Sequence, residues 1–155
     1  MKLTHFFGTV SMKTVIQRVS SASVTVNKTL ISSIEQGLLI LVGFTHSDTS
    51  ADIEAMANKI LNLRIFNDGE GVMNLSIRDI RGEILLVSQF TLYAQCSKGN
   101  RPSYIQSAPR NIAEPLYEQF ADLLARMYDL PVKKGIFGAD MQVSLVNDGP
   151  VTIML

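Results

Sequence analysis

Residues 38–44 read LLILVGF, an apolar run broken only by one glycine and preceded by Gly37. A strand with one wet face alternates apolar and polar residues; a run without alternation marks a strand covered on both faces. Residues 83–92, EILLVSQFTL, form the strongest strand of the chain by pattern. They set Ile84, Leu86 and Ser88 on one face and Leu85, Val87 and Gln89 on the other. Strands of this kind need covering layers, and two amphipathic segments are available to cover them. The expected fold is one α/β domain, a mostly antiparallel, barrel-like β-sheet covered by two main helices.

The first helix is expected after Ser47-Asp48, which are good capping residues, with Asp52 and Glu54 favouring its N-terminal dipole. Ile53, Met56, Ala57, Ile60 and Leu61 recur at helical spacing and form one buried stripe. The second helix is expected from about Asn111 to Tyr128. Its apolar face is Leu116, Phe120, Leu123, Leu124 and Met127, and Pro131 ends it. Strands are expected at Val15–Val26 and Leu30–Ile34, joined by a turn at Asn27-Lys28. NDGEG at 67–71 reads as a turn cluster, and the polar stretch AQCSKGNRPS at 94–103 as a loop. Met141–Val146 and Val151–Leu155 are the last strands, with Asn-Asp-Gly-Pro between them reading locally as a hairpin loop.

At 155 residues the chain fits one domain able to bury about two-thirds of its unfolded surface. Lys+Arg and Asp+Glu are each 14, so global charge points to neither nucleic acid nor membrane. A local basic patch stays open. Cys96 is the only cysteine, which excludes an internal disulfide and fits a reducing cytoplasm. No apolar run approaches the roughly 18–20 residues that span a bilayer. Residues 1–11, MKLTHFFGTVS, are too short and mixed for a signal-peptide core and read as an extension outside the fold. Residues 12–155 form the domain.

Conventional catalysts are missing from the pattern. The two histidines, His5 and His46, read as exposed residues, and no Cys/His cluster suggests a metal. No nucleophile elbow, Walker A loop or dinucleotide fingerprint occurs. No metal and no cofactor are expected. What remains is Ser88-Gln89-Phe90-Thr91 at the end of a very apolar strand. A buried hydroxyl or amide costs free energy unless it is hydrogen-bonded, so these residues need structural partners or a ligand. Thr91 has no neighbouring base in sequence and is a poor nucleophile. The pattern favours a site that binds and orients over one that attacks.

SQFTLYA at 88–94, FGADM at 137–141 and NDGPVT at 147–152 together resemble the D-aminoacyl-tRNA deacylase family. VIQRVSSASVTV at 15–26, ILNLRIF at 60–66 and KGNRPS at 98–103 match it in the same order, so the resemblance spans the chain from Met12 onward. It implies a homodimeric carboxylic ester hydrolase that cleaves D-aminoacyl-tRNA, and glycine mischarged on alanine tRNA, without membrane or DNA partners. It further implies that Gly149-Pro150 is a cis peptide entering the partner subunit's active site, where its carbonyl oxygens reject an L side chain.

By the same resemblance the substrate's terminal 2′-hydroxyl helps activate water. Ser88, Gln89, Phe90 and Thr91 are then the catalytic pocket, with Arg18, Met141, Asn147 and Thr152 beside the substrate. Lys98 and Arg101, with Lys133-Lys134, could hold acceptor-end phosphates or simply be solvated; a single-stranded end needs only shape, stacking and a few cations. Three other readings stand beside this one: a non-catalytic RNA-binding module, a Thr-dependent esterase for small esters, and a purely structural dimer.

Overall fold

The structure, a computed structural model, describes residues 11–155. Residues 1–10, and with them His5 and nearly all of the expected extension, lie outside the described residues. The first structured contacts come at once: the Tyr93 hydroxyl donates to the Ser11 carbonyl, and the Met12 N–H donates to Asp48 Oδ1 at 2.7 Å.

Eight strands and three helices follow among the described residues. They run β1 (Lys13–Val26), β2 (Thr29–Ile34), β3 (Gly37–Gly43), α1 (Ser50–Asn62), β4 (Phe66–Asn67), β5 (Met73–Leu75), α2 (Ile77–Ile80), β6 (Glu83–Ser88), α3 (Arg110–Met127), β7 (Val132–Lys134) and β8 (Gln142–Met154). The main sheet has the order β2-β1-β3-β6-β7, and β8 adds to β1. Antiparallel pairs join β1 to β2, β3 and β8, while β3–β6 and β6–β7 are parallel, so the sheet is mixed. Its ends curl toward each other. Ser32 Oγ of β2 donates to the Lys134 carbonyl of β7 at 2.7 Å, which nearly closes the barrel.

Both faces of the central strands are covered, as the unbroken apolar runs demand. Leu38, Ile40, Val42, Ile84 and Leu86 pack in the larger core with the stripe Ile53, Ala57, Ile60 and Leu61 of α1 and with Tyr117, Phe120 and Leu124 of α3. Leu39, Leu85 and Val87 point the other way, into a smaller core inside the curl with Val19, Val24 and Ile34. The turn after β1 is tight because Asn27 and Lys28 take left-handed angles, φ 48° and 64°.

Four local expectations are corrected. The strand expected over 83–92 stops at Ser88, and Phe90–Tyr93 coil into a 3-10 helix. Thr49, not Ser47-Asp48, precedes α1, with its N–H on the Asp52 carboxylate at 2.8 Å. Asp48 is instead a buried acceptor for Met12 and Thr45 N–H groups. A short third helix, α2, fills the turn between β5 and β6.

The fourth correction matters most. Residues 147–150 do not close a hairpin, because both flanks pair with the same strand. Gln142–Asn147 lie against Thr25–Val19, and Thr152–Met154 lie against Gln17–Val15. Between those registers β1 spends only Arg18 while β8 spends residues 148–151. The turn is a large bulge thrown out of one strand.

Candidate active site

A cavity of about 540 Å³ opens at the carboxyl ends of the parallel strands β3 and β6, where ligands gather in sheets of this kind. The polar strand end forms one wall. Ser88, Gln89 and Phe90 line it, and Met141 faces them from the 137–141 loop. Gly43 at the end of β3 lets this wall form, since a Cβ there would sit 2.8 Å from the Gln89 carbonyl. The apolar share of the lining comes from Val42, Phe44, Val87 and Phe137.

The hydrogen-bonding of the wall limits its chemistry. Gln89 Nε2 donates to Thr91 Oγ1 at 2.6 Å. That bond uses one of the two lone pairs of the hydroxyl oxygen, and no imidazole or carboxylate accepts the hydroxyl proton among the described residues. Nothing among the described residues activates the threonine. Two donors are oriented by the fold itself. The N–H groups of Phe90 and Thr91 open the 3-10 helix, where a helix has no internal acceptor for them.

The cavity also contains residues absent from the sequence expectation. Tyr104, Ser107 and Arg110 line it, as does Asp140. Arg110 pairs with Glu114 one turn on, Nε to Oε2 2.8 Å, and its guanidinium lies 5.7 Å from the Phe137 ring centre. The hydrogen bond from Arg110 holds the Glu114 carboxyl below its ordinary range and raises Arg110 in return. The only signal of Tyr104, Ser107 and Arg110 in sequence is the run RPSYIQSAPR, in which aromatic, hydroxyl and cationic residues interrupt a turn-rich loop, whereas Asp140 lies within FGADM.

The remaining expected site residues form a second cluster. Gly149 and Pro150 are exposed at the tip of the β8 bulge, joined by a cis peptide. Asn147 Oδ1 accepts from the Val151 N–H at 2.7 Å, and its Nδ2 donates to Thr152 Oγ1 at 3.0 Å. These bonds staple the bulge across its base. Arg18, buried opposite, donates from Nε to the Asp148 carbonyl at 2.9 Å and from Nη1 to the Ile65 carbonyl at 2.7 Å. None of residues 147–152, nor Arg18, lines the cavity of its own chain, and Thr91 stands just behind the lining, touching it through Gln89.

Lys98 and Arg101 are exposed on the loop closed by the Gln95–Ser103 bridge, and neither makes an ion pair among the described residues. Lys133 and Lys134 lie elsewhere and are partnered by Glu83 at 3.7 Å and Glu118 at 2.6 Å. His46 is exposed, with Nε2 3.0 Å from the Ile105 carbonyl. Among the described residues no His/Cys/Asp/Glu cluster could hold a metal, and no helix is long and apolar enough to cross a membrane.

A family model described as D-Tyr-tRNA(Tyr) deacylase matches residues 15–155. The D-aminoacyl-tRNA deacylase of Chlorobaculum parvum is 57% identical over 144 residues, covering 93% of this chain and 97% of the relative. That of Thermosipho africanus is 56% identical with 93% and 96% covered. Among solved structures, one described as c-Myc DNA Unwinding Element Binding Protein superposes with a TM-score of 0.86 at 48% identity, covering 92% of this chain and 97% of that one. A probable eukaryotic D-amino acid tRNA deacylase shares the fold with a TM-score of 0.82 at 17% identity, over 94% and 99% of the two chains.

Proposed function

The chain belongs to the D-Tyr-tRNA(Tyr) deacylase family, and from that premise we propose that it hydrolyses the ester between a D-amino acid and the 3′-terminal ribose of tRNA. Glycine mischarged on alanine tRNA, which also lacks an L side chain, is the second substrate. Action in the cytoplasm, where aminoacyl-tRNA is used, follows from this role.

One observation supports the reading: a cavity with one polar wall and no activated side-chain nucleophile, while the stapled turn of the same chain lies outside its lining. In a homodimer the turn of each subunit enters the cavity of the other. The Gly149 and Pro150 carbonyls then stand beside the substrate's α-carbon and leave no room for an L side chain. A rigid obstacle suffices for chiral rejection; no reactive group is needed.

Catalysis on this reading is by orientation and electrostatics. The terminal 2′-hydroxyl of the substrate helps activate the attacking water. The Phe90 and Thr91 N–H groups face the oxyanion as it develops, an effect worth about 10²–10³ in rate per donor. Ser88 and Gln89 position the ester and terminal nucleoside, Met141 packs beside them, and Lys98 and Arg101 meet acceptor-end phosphates. The domain proper is residues 12–155.

The direct test is incubation with D- and L-aminoacyl-tRNA charged with the same amino acid. Selective loss of the D ester is expected. Binding of both without turnover would instead identify an RNA-binding module, and equal loss of both a general esterase.

A further inference from the structure

The cavity mouth carries an apolar patch that the proposed chemistry does not use. Phe90 is 55% exposed, Tyr104 40% and Ile105 79%. The two rings meet edge to face, centroids 5.0 Å apart and planes at 68°. Such side chains in water forfeit the gain from burial, yet here the backbone that presents them is firmly held. Ser107 Oγ donates to the Phe90 carbonyl at 3.1 Å, Thr45 Oγ1 to the Gln106 carbonyl at 2.6 Å, and the Ser107 N–H to the Tyr104 carbonyl at 3.0 Å. The patch is a built surface and not a loose loop.

We propose that Tyr104, braced by the edge of Phe90, is a stacking shelf for the base that precedes the terminal nucleoside of the acceptor strand. The inference rests on the deacylase reading and adds a nucleotide subsite to it. Three features select this occupant. The patch is continuous with the cavity, because Phe90 and Tyr104 line both. A chain whose last nucleoside enters the cavity must pass its preceding nucleotide over the mouth. The adjoining loop ends its 95–103 bridge one residue before Tyr104 and carries Lys98 and Arg101, both exposed and unpaired among the described residues. Aromatic faces next to free cations are the means by which proteins bind single strands without reading sequence.

The test uses non-hydrolysable probes: D-tyrosine joined by an amide to the 3′ position of adenosine, the same molecule extended by a 5′ cytidine, and one extended by an abasic ribose phosphate. The cytidine probe should bind roughly 5- to 150-fold tighter than the abasic one, the range of one base–aromatic stack. Tyr104→Ala should remove most of that cytidine-over-abasic difference, whatever it costs the adenosine probe; Tyr104→Phe should keep it. Equal binding of the cytidine and abasic probes to the wild type would overturn the proposal. So would a Tyr104→Ala variant weakened equally toward all three probes, which would make Tyr104 a plain cavity wall. Loss of the dimer in Tyr104→Ala, read by light scattering, would assign the patch to a second copy of the chain. Failure of the shelf alone leaves D-ester turnover and adenosine-probe binding intact; failure of the deacylase reading abolishes both.

Discussion

Arg18 Nε donates to the Asp148 carbonyl at 2.9 Å, while the Asp148 carboxylate stands farther off at 3.8 Å. The guanidinium therefore holds the backbone of the bulge and only secondarily its charge. The Arg18 side chain is 8% exposed and that of Asp148 55%, so the two halves of the pair respond differently to change. Arg18→Lys loses the planar fork and leaves the Ile65 and Asp148 carbonyls short of donors, at about 1–3 kcal/mol. Asp148→Asn keeps the carbonyl and should unfold in urea at the wild-type midpoint. D-ester turnover should fall in the first variant and survive in the second.

Thr91 separates positioning from attack. If its hydroxyl only accepts from Gln89 and so holds that side chain in the wall, Thr91→Ala should retain turnover within about 10–100-fold of wild type, the cost of a small misplacement. Deleting a true nucleophile costs about 10⁶. Mass spectrometry should find no acyl-enzyme under rapid quench, and tRNA ending in 2′-deoxyadenosine should be cleaved very slowly by the wild type.

Opposed aspartates predict the acid response. Burial raises the Asp48 carboxyl above the ordinary 3.8, against the pull of the Thr45 and Met12 N–H groups. The folded state thus binds that proton more tightly than the unfolded chain, and Asp48 removes stability as pH rises from 3.8 through its folded value. Asp79 runs the other way. The Ser76 N–H and hydroxyl hold it below 3.8, so its contribution is present above that pH and lost as pH falls through its folded value. Thermal midpoints between about pH 3 and 7 should therefore show Asp48→Asn losing the decline above 3.8. Asp48→Asn should also be less stable throughout, because its NH2 group replaces one of the two oxygens that accept from the Met12 and Thr45 N–H groups. Asp79→Asn should lose the acid-side fall.

Lys98 and Arg101 are tested by salt. Removing one cation that pairs with a phosphate flattens the plot of log affinity against log salt by about 0.7–0.9. Lys98→Ala and Arg101→Ala should each show that change for tRNA. Slopes equal to wild type would return both to the solvated surface.

The fold was legible where physics is local. LLILVGF had to be covered on two faces, and the stripe from Ile53 to Leu61 had to be a buried helix face. The pattern failed where a longer-range pairing decides. Asn-Asp-Gly-Pro has hairpin chemistry, and only the pairing of both flanks with β1, on either side of Arg18, turns it into a bulge. Gln89 reads as a continued strand, but the chain coils after Ser88 into a 3-10 turn. Ser88, Gln89, Phe90 and Met141 do meet in one cavity; Tyr104 was hidden because a folded loop carries it there, and Arg110 because it opens α3 one residue before the expected helix start.

Gly149 tests the architecture itself. Its φ is +136°, and a Cβ there would lie 2.9 Å from Val151 Cγ2 and 3.0 Å from Arg18 Nη2. Gly149→Ala must therefore shift the bulge, at about 1–3 kcal/mol, while the exposed tip spares the core. D-ester activity should collapse in a folded protein. Gln89→Ala damages the wall instead. If each site combines the wall of one subunit with the turn of the other, a dimer holding one chain of each variant contains one doubly damaged site and one intact site. Random pairing makes half of the dimers mixed, so an equimolar co-expression should recover about a quarter of wild-type activity. A site built within one chain gives two damaged sites in every dimer and recovers nothing. Activity of the mixture no greater than the mean of the two variants alone would therefore overturn the composite site.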